Sequence, residues 1–394
     1  MTRKPSSGLS MLVLAGLCLG HTAILQQDGD WEGKERIQNG VRVISTIRGS
    51  VWSGPKYLEE ELSIGANEEG PYLFIDIVDI DYFDNRYYVA DFWAPSVKVY
   101  DSAGNFLFSV GGVGAGPGEY QRPDAIEIDR SNHLLLVRDL SLTRINFYDL
   151  SGKYLDSCRV ISMYQGPSPM VLTHSNQLYS MGVYQTDYVM HRIERRGTVS
   201  DTLIIPRPEL DYQFIRISRG SMKVPYTQEW VRNMGPSGRI YSGDSNDYRI
   251  ELSSNNEPVL VIERANSQIR MSRTESEWHK QRITQRIQEN DPGWTWNGAD
   301  IPRTKPAFGA FTEDRDGRIW VYRLGDGIRS NDGDWKDSIL FDVFDSDGRF
   351  LGPVYAPHGI TAKPSPHIEG DMLVAQFMDE DQVPYVRRYR VVSR

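Results

Sequence analysis

Short runs of alternating hydrophobic and polar residues follow one another along most of the chain, and neighbouring runs repeat. Arg86–Asp91 resembles Leu134–Asp139, and residues 96–107 resemble residues 144–155. The matching positions lie 48 residues apart without a gap: Asp81 and Asp129, Asp91 and Asp139, Asp101 and Asp149, and Gly104 and Gly152. A repeat of this length that holds several short strands is typical of β-propeller blades. The pattern therefore predicts an all-β protein built from such blades.

The same pattern of strands continues towards the end of the sequence, and six sets can be traced. They span residues 74–110, 125–160, 170–205, 229–263, 316–351 and 372–392. The interval between Gly152 and Gly348 also accommodates a further repeat, which leaves seven blades as the alternative to six. The last set is one strand short, and residues 41–46 alternate like a strand. We therefore predict a six-bladed propeller whose ring is closed by this N-terminal strand, because a closed ring leaves no sheet edge unpaired.

Two insertions interrupt the predicted propeller, at residues 206–227 and at about residues 265–305. The first is rich in tyrosine, phenylalanine and arginine. In the second, residues 274–277 have the form of a capping box, and a short helix is predicted over residues 275–289. Residues 41–394 are otherwise predicted to form a single domain.

The N-terminus has the pattern of a secretory signal. Arg3 and Lys4 precede an uncharged apolar run, residues 9–20, which is too short to span a bilayer. We predict a signal peptide over residues 1–20, a linker over residues 21–40, and a mature chain without a transmembrane segment. The protein would then be exported to the periplasm, the cell surface or the medium. A lipid anchor on Cys18 is the alternative, although Leu17 stands where lipoproteins carry a small residue.

The net charge argues against one class of partner, and the cysteine content argues against a disulfide. The formal net charge is -9, which argues against nucleic acid, because phosphates require clustered lysine and arginine. After removal of the signal Cys158 is the remaining cysteine, so no disulfide is expected within the chain. Cys158 is predicted to be a buried apolar residue. The expected partner is a small molecule, a carbohydrate or an envelope protein.

Three runs carry a resemblance to known proteins: residues 114–120, Pro123–Asp129 and residues 144–155. They resemble NHL-type repeats and, more narrowly, the exported six-bladed β-propellers common in Bacteroidetes-like bacteria. The resemblance extends over about residues 41–394 and implies the fold. It leaves the function open, because similar proteins include binding and scaffold propellers, a copper- and zinc-dependent amidating lyase, a streptogramin lyase and lactonases.

The recurring aspartates and glycines of the repeat are expected to shape turns. Aspartate accepts hydrogen bonds from backbone amides a few residues away, which suits strand ends. Glycine follows the strand-ending aspartate by three residues at each repeat, and a tight hairpin there requires a positive φ. This is predicted for Gly104, Gly152 and Gly348.

Loops at one end of the predicted propeller bring aromatic and charged residues to a common rim. In each blade, the loop between the second and third strands and the crossing to the next blade lie at the same end. We predict that a ligand binds there, to Trp93, Tyr120, Arg122, Arg144, Tyr226, Trp294 and Trp296. Aromatic faces with a few charges suit an organic or carbohydrate ligand. The alternative interpretation is that the aromatic residues only pack the two insertions against the propeller.

Arg122 and Trp93 form the most specific part of this prediction. Arg122 directly precedes Pro123, which favours an extended backbone, and Trp93 lies in a loop of the same rim. An arginine beside an aromatic face suits a carboxylate or a sugar acid. The alternative is that Arg122 pairs with an aspartate of a neighbouring blade and ties the ring together.

No cofactor is predicted, and calcium or zinc remain open. The candidates for zinc lie near strand ends and are His174, His358 and His367. The candidates for calcium face the channel and are Asp76, Asp79 and Glu127. The favoured function is a non-enzymatic, extracytoplasmic propeller that binds a ligand or protein at the loop rim, with no catalytic residues. The alternative is a metal-dependent lyase or lactonase-like hydrolase that acts in the central channel.

Overall fold

The computed structural model describes residues 29–65, 70–160, 169–184, 187–205, 207–265, 268–330 and 333–394. Within these ranges almost all regular structure is β-strand, and the chain folds into a propeller of four-stranded antiparallel units. The predicted all-β class and the propeller fold are confirmed.

Six four-stranded units are present in the described residues, and in each the first strand lies at the centre. Unit 1 consists of Ile77–Phe83, Arg86–Asp91, Ser96–Asp101 and Phe106–Val110, and unit 2 of Pro123–Asp129, Leu134–Asp139, Arg144–Asp149 and Tyr154–Arg159. Unit 3 consists of Met170–Leu172, Leu178–Tyr184, Asp187–Ile193 and Val199–Ile205, and unit 4 of Trp230–Met234, Ile240–Asp244, Arg249–Ser254 and Glu257–Arg264. Unit 5 consists of Ala310–Glu313, Ile319–Arg329, Trp335–Phe344 and Phe350–Ala356, and unit 6 of His367–Glu369, Met372–Met378, Pro384–Ser393 and Lys56–Ile64. Units 5 and 6 belong to one eight-stranded sheet, because Phe350–Ala356 also pairs in parallel with Lys56–Ile64.

The units pack face to face, because their middle strands are apolar on both sides. Arg86–Asp91, for example, is buried from Tyr87 onwards. Six hydrophobic clusters each combine residues of two neighbouring units, and the pairs include units 6 and 1. In that pair, Phe74 and Tyr87 of the unit 1 side pack with Val374 and Val386 of unit 6. The core is therefore distributed between the units.

The strand that completes unit 6 is not the predicted one. Lys56–Ile64 pairs with Pro384–Ser393 at the outer position, whereas residues 41–46 lie in Val41–Arg48, which pairs in parallel with Glu257–Arg264 of unit 4. The prediction was wrong because residues 41–46 alternate more regularly in sequence. In Lys56–Ile64 three consecutive glutamates obscure the strand pattern.

The predicted linker, residues 21–40, also contains regular structure. Glu32–Gln38 forms a hairpin with Val41–Arg48, and the two strands extend the outer edge of unit 4. The signal peptide predicted over residues 1–20, together with Cys18, lies outside the described residues. In the described part of the chain, no helix combines the length and apolar character that crossing a membrane requires.

The two insertions pack against each other and form a small cap with its own core. The first contains the hairpin Phe214–Ile217 and Gly220–Lys223, and the second contains the helix Arg273–Gln288, or α1. Their shared core is apolar and includes Ile215, Val224, Met271, Trp294 and Ile301. The helix is confirmed, but its capping box is formed by Ser272 and Glu275, two residues before the predicted one. We call residues 207–227 and 268–305 the cap.

The predicted turn roles are confirmed. Gly104, Gly152 and Gly348 have φ values of 84°, 87° and 86°, a region that side chains avoid. The recurring aspartates accept backbone hydrogen bonds; Asp101, for instance, accepts from the amides of Ala103 and Asn105 at 2.9 and 2.8 Å. Cys158 is buried, and burial raises the pKa of its thiol. These residues therefore act in the fold.

Candidate functional site

A cavity of about 690 Å³ occupies the centre of the propeller. Its wall contains residues from the first strand of each unit described above. The wall combines apolar side chains such as Met170, Leu172 and Phe311 with polar and charged ones. Volumes of this size are typical of sites for small organic molecules.

The pairing of strands distinguishes the two ends of the channel. In unit 1, Ile77 pairs with Asp91 at one end, and Phe83 pairs with Arg86 beside the turn at the other end. We call the first end the rim, since it carries the crossings between units and the cap. We call the second end the base. Asp81, which pairs with Tyr88, therefore lies near the base.

Charged side chains from four units meet near the base. We call them the base cluster: Asp79, Asp81, Glu127, Arg130, Arg315, His367 and Glu369. Their positions follow from the fold, because first strands converge on the axis and the turns after them share one end. Arg315 is held there by its backbone amide, which donates to the Ile368 carbonyl at 3.2 Å.

Asp81 and His367 form the central pair of the base cluster. His367 Nδ1 lies 2.9 Å from Asp81 Oδ1, and both side chains are more than nine-tenths buried. Burial alone would raise the pKa of Asp81, but the hydrogen bond and charge of His367, with Arg315 and Arg130, hold that pKa at about 2. For His367, burial favours the neutral form, yet its contacts with Asp81 and Glu369 raise its pKa above the ordinary value. Each partner therefore favours the ionised form of the other.

Asp79 and Glu127 behave in the opposite way. Burial is the main reason that the pKa of Asp79 rises to about 7, and burial together with the charge of Asp81 raises the pKa of Glu127 well above its usual range. Asp79 accepts hydrogen bonds from the amides of Ile80 and Ile126 at 2.9 and 2.8 Å. Within the described part of the chain, neither carboxyl group forms an ion pair. The cavity therefore contains two acids that readily hold a proton beside an acid that does not.

Groups whose pKa values are shifted in opposite directions give a site the capacity to move protons. A carboxyl group with a raised pKa can donate a proton, while an ionised neighbour stabilises positive charge. His367 also lines the cavity, and its Nε2 lies 3.6 Å from Glu369 Oε2. The base cluster can therefore bind a cationic group, or exchange a proton with a bound molecule.

At the rim, the structure brings Arg122 and Trp93 together as the sequence predicted. The guanidinium carbon of Arg122 lies 5.6 Å from the ring centroid of Trp93 and 5.6 Å from that of Phe92. Trp93 is 61% exposed and meets buried Phe92 edge to face, with 5.1 Å between centroids. These distances lie within the range of cation–π contacts.

The loops that carry this pair are fixed by two buried aspartates. Asp91 accepts hydrogen bonds from the amides of Ile75 and Ala94, at 2.8 and 3.1 Å. Asp139 accepts from the amide of Gln121 at 2.7 Å. Asp91 and Asp139 are the recurring aspartates of the repeat, and both are fully buried. They therefore hold the backbone on either side of Trp93 and Arg122.

Tyr120 and Arg144 reinforce the glycine-rich crossing between units 1 and 2. Tyr120 is only 1% exposed; its hydroxyl accepts from the amide of Val97 at 2.9 Å and donates to the Val110 carbonyl. Arg144 donates to the carbonyls of Ala115 and Gly116 at 3.1 and 2.7 Å. Both side chains are thus engaged within the protein rather than presented at the rim.

Tyr226, Trp294 and Trp296 belong to the cap. Trp294 is buried in the cap core, and its Nε1 donates to the carbonyl of Arg216 at 2.7 Å. Trp296 packs beside it, with 6.2 Å between ring centroids. Tyr226 hydroxyl lies 2.9 Å from Asp337 Oδ2 and 3.1 Å from His279 Nε2. These contacts agree with the alternative interpretation, in which the aromatic residues pack the two insertions against the propeller.

A buried charged group joins the cap to unit 5. Glu275, His279 and Asp337 bring three possible ligand atoms within 4.8 Å of one another. Lys305 Nζ lies 2.9 Å from Glu275 Oε1 and 2.6 Å from Asp337 Oδ1, so an ammonium already supplies the positive charge that a metal ion would bring. We call Glu275, His279, Lys305 and Asp337 the cap latch. It is better suited to holding the cap than to holding a metal.

The residues proposed from sequence as metal ligands do not assemble in this way. Throughout the described ranges, the cap latch is the group in which three such ligand atoms come this close. The zinc candidates His174, His358 and His367 do not converge there, nor do the calcium candidates Asp76, Asp79 and Glu127. His367, Asp79 and Glu127 nevertheless line the central cavity.

The sequence analysis missed Arg130, Arg315 and Glu369. Each lies at a turn or strand end, where charged residues are ordinary on a protein surface. Their positions in the repeat were the available signal: Arg130 directly follows the first strand of unit 2, and Arg315 lies two residues beyond the first strand of unit 5. Such positions converge at the base of a propeller.

Residues 70–204 match a protein family described as 6-bladed beta-propeller, DUF5128. The matched segment covers units 1 and 2 and nearly all of unit 3. No curated protein matches the chain in sequence.

Solved structures with a similar arrangement have low sequence identity. A Bacteroides fragilis protein named as a candidate exported protein is 12% identical, with a TM-score of 0.47, over 89% of this chain and 100% of its own. A member of the DUF4221 family from Bacteroides vulgatus is 7% identical, with a TM-score of 0.45, over 86% and 99% of the two chains. The virginiamycin B lyase of Staphylococcus aureus is 9% identical, with a TM-score of 0.41, over 86% and 100%. The functions in these names belong to those proteins.

Proposed function

We propose that the protein is an exported, closed six-bladed propeller that binds a small amine-bearing organic molecule in its central cavity without transforming it. Export is supported by Arg3 and Lys4 followed by the apolar residues 9–20. Closure is supported by the hydrophobic cluster between units 6 and 1, which completes the series of contacts around the axis. This proposal moves the binding site from the predicted rim into the channel.

The observation that carries the proposal is the pair of carboxyl groups on Asp79 and Glu127. Both face the cavity, and neither has an ion-pair partner in the described residues. A buried carboxylate without a cation is costly, so such groups take up a proton or bind a positive charge. An amine satisfies both needs, because it accepts the proton and remains as an ammonium beside the carboxylate.

The remaining wall suits an organic molecule. Met170, Leu172, Trp230 and Phe311 provide apolar surface around the acids. A bare inorganic cation would gain nothing from these side chains, whereas the hydrocarbon part of an amine would be removed from water. The ligand class is therefore a small amine with an apolar or cyclic body.

Matched pairs of probes test the proposal. Glucosamine is compared with glucose, and 3,3-dimethylbutylamine with its neutral counterpart 3,3-dimethylbutanol, by titration calorimetry and by the shift in melting temperature. We expect at least one amine to bind and its neutral counterpart to bind at least about tenfold more weakly, since one charge-assisted hydrogen bond accounts for a factor of this size. Binding of neither amine, or equal binding of both members of each pair, would refute the proposal.

Variants assign the binding to the cavity. Asp79→Asn and Glu127→Gln should each weaken amine binding, because each removes a carboxylate from the wall. Glu257→Gln, at an exposed position of unit 4, is the matched control and should bind as the unchanged protein does. Amine binding that survives both cavity variants would place the site elsewhere.

The second candidate is a lyase or lactonase-like hydrolase that acts in the same channel. The observation in its favour is the set of oppositely shifted pKa values at Asp79, Glu127, Asp81 and His367, which acid–base sites commonly display. Elemental analysis of the purified protein discriminates a metal-dependent form of this activity from binding alone. Stoichiometric calcium or zinc that is lost on Glu127→Gln would favour the second candidate.

A further inference from the structure

We propose that Arg122 and Trp93 form a second binding site at the rim, for a uronic acid unit of an acidic polysaccharide. These residues are not part of the cavity wall. The proposal therefore stands independently of the amine site. In the proposed complex, the ring of the sugar lies on the exposed face of Trp93 and its carboxylate receives hydrogen bonds from Arg122.

The guanidinium of Arg122 is available for this role. Arg122 is exposed, and its side chain makes neither an ion pair nor a hydrogen bond with another described residue. The predicted alternative, an ion pair with an aspartate of a neighbouring unit, is not present among these residues. Asp91 and Asp139, the recurring aspartates of these two loops, accept hydrogen bonds from backbone amides. The donors of Arg122 therefore remain free for a ligand.

The site is organised before a ligand arrives. The carbonyl of Arg122 accepts a hydrogen bond from the amide of Leu140 at 3.0 Å, and Pro123 follows directly. Trp93 is supported from below by buried Phe92 and lies in a loop that Asp91 holds through Ala94. Fixed loops and stacked side chains reduce the ordering that binding would otherwise require.

The openness of the site favours one unit of a polymer over an isolated small molecule. Trp93 is 61% exposed, and Ile75 and Val113, in neighbouring segments of the same rim, are 55% and 71% exposed. A shallow apolar surface leaves both ends of a bound sugar free to continue as a chain. The C–H groups of a sugar face pack well on an indole ring, whose polar edge remains in water.

The charge of the whole protein restricts the class of ligand. A net charge of -9 repels polyanions at long range. Binding therefore depends on short-range contacts with the guanidinium group of Arg122 and the ring of Trp93. A planar carboxylate matches the two parallel donors of a guanidinium. A carboxylate attached to a flat-faced ring satisfies both contacts at once.

The test measures binding of trigalacturonate and of the neutral galactose trisaccharide with the same linkages, by titration calorimetry at low salt. We expect trigalacturonate to bind and the neutral trisaccharide to bind at least about tenfold more weakly. Arg122→Gln should reduce the affinity for trigalacturonate by a similar factor, and Arg122→Lys by less, because lysine keeps the charge but loses the fork. Trp93→Ala should weaken both sugars.

Arg196→Gln is the matched control, because Arg196 is exposed in a distant turn of unit 3. Its affinity for trigalacturonate should equal that of the unchanged protein. Melting curves of all variants establish that each is folded. The proposal is overturned if trigalacturonate does not bind, if Arg122→Gln binds it normally, or if galactose 1-phosphate binds more tightly than galacturonate.

Discussion

Charged side chains are exposed to water at the rim of the channel and buried at its base. At the rim, Arg122 rests on Trp93 in contact with water and has no ionic partner among the described residues. At the base, Asp81 and His367 are more than nine-tenths buried and lie 2.9 Å apart. An exposed charge interacts weakly with its surroundings, whereas a buried one is coupled to the fold. Substitutions at the rim should therefore change binding, and substitutions at the base should also change stability.

The cap latch separates the influence of burial from that of position along the channel, and we expect burial to determine the loss of stability. Lys305 lies on the rim side, in the cap, yet its side chain is fully buried between Glu275 and Asp337. The comparison thus has three members: the buried cap latch, the buried base cluster, and the exposed pair of Arg122 and Trp93 at the rim. Changes in unfolding free energy should decrease in that order.

The largest effect is expected for Lys305→Met. Removing the ammonium leaves the carboxylates of Glu275 and Asp337 without a cation, which should lower the free energy of unfolding by about 3–5 kcal/mol. Lys280→Met is the matched control in the same cap, because Lys280 pairs with the exposed Asp300; its cost should stay below about 1 kcal/mol. Urea unfolding measures both, and similar small losses in the two variants would contradict the role of the latch.

The second effect concerns His367 and depends on pH. Its pKa is raised in the folded protein, so its stabilising charge is complete below the unfolded pKa, about 6.5, and disappears as the pH rises through the folded pKa. His367→Gln retains a donor for Asp81 but loses the charge. We expect a loss of about 2 kcal/mol at pH 5.5, and a smaller loss at pH 9.

The exposed His174 provides the control for this pH dependence. His174→Gln should change the unfolding free energy little at either pH. A loss on His367→Gln that is equal at pH 5.5 and at pH 9 would show that the imidazole acts through packing alone.

Asp79→Asn should have a smaller effect of the opposite sign. Because the pKa of Asp79 is raised to about 7, the folded state binds a proton that the unfolded state releases, and stability falls between about pH 4 and pH 7. Asparagine removes this penalty but loses one of two backbone hydrogen bonds. The variant should be about 1–2 kcal/mol more stable at pH 8 and no more stable at pH 4.

Asp326→Asn, at an exposed position of unit 5, should show no such pH-dependent gain. Chemical unfolding at both pH values gives the comparison. If Asp79→Asn is less stable than the unchanged protein at pH 8, Asp79 is ionised without penalty and the argument for an amine beside it is lost.

The smallest effect on stability is expected for Arg122→Gln. The side chain is exposed, so the free energy of unfolding should change by less than about 0.5 kcal/mol. The same variant is expected to lose affinity for trigalacturonate. A marked loss of stability would indicate that Arg122 ties neighbouring units together, as the alternative interpretation holds.

The repeat made most of the propeller predictable. Strand positions in units 1 and 2 follow from runs such as Arg86–Asp91 and Leu134–Asp139, whose period and turn residues act locally. The contact of Arg122 with Trp93 was also accessible, since the topology of a blade places both loops at one end. The helix α1 was predicted from its capping residues, although the box was placed two residues too late.

The features that the sequence did not reveal depend on contacts between residues far apart in the chain. Lys56–Ile64 is a strand because Pro384–Ser393 offers an edge, and its glutamates give no local signal. Tyr120 was predicted to lie at the rim, but its hydroxyl is hydrogen-bonded to the amide of Val97 and the carbonyl of Val110. The base cluster combines side chains of four units, and its pKa shifts arise from burial that no single segment reveals.

The position of Lys56–Ile64 also has a kinetic consequence. Lys56 pairs with Ser393 and Ile64 with Val386, so unit 6 is incomplete until both regions of the chain are present together. During synthesis, units 1 to 5 can form one after another from contiguous segments, while the edge of this early strand that pairs with Pro384–Ser393 stays unpaired. Such an edge is prone to pairing with other chains. The final closure is a long-range step, which loop entropy makes slow, so the time between the first and the last strand is when this protein most needs protection from aggregation.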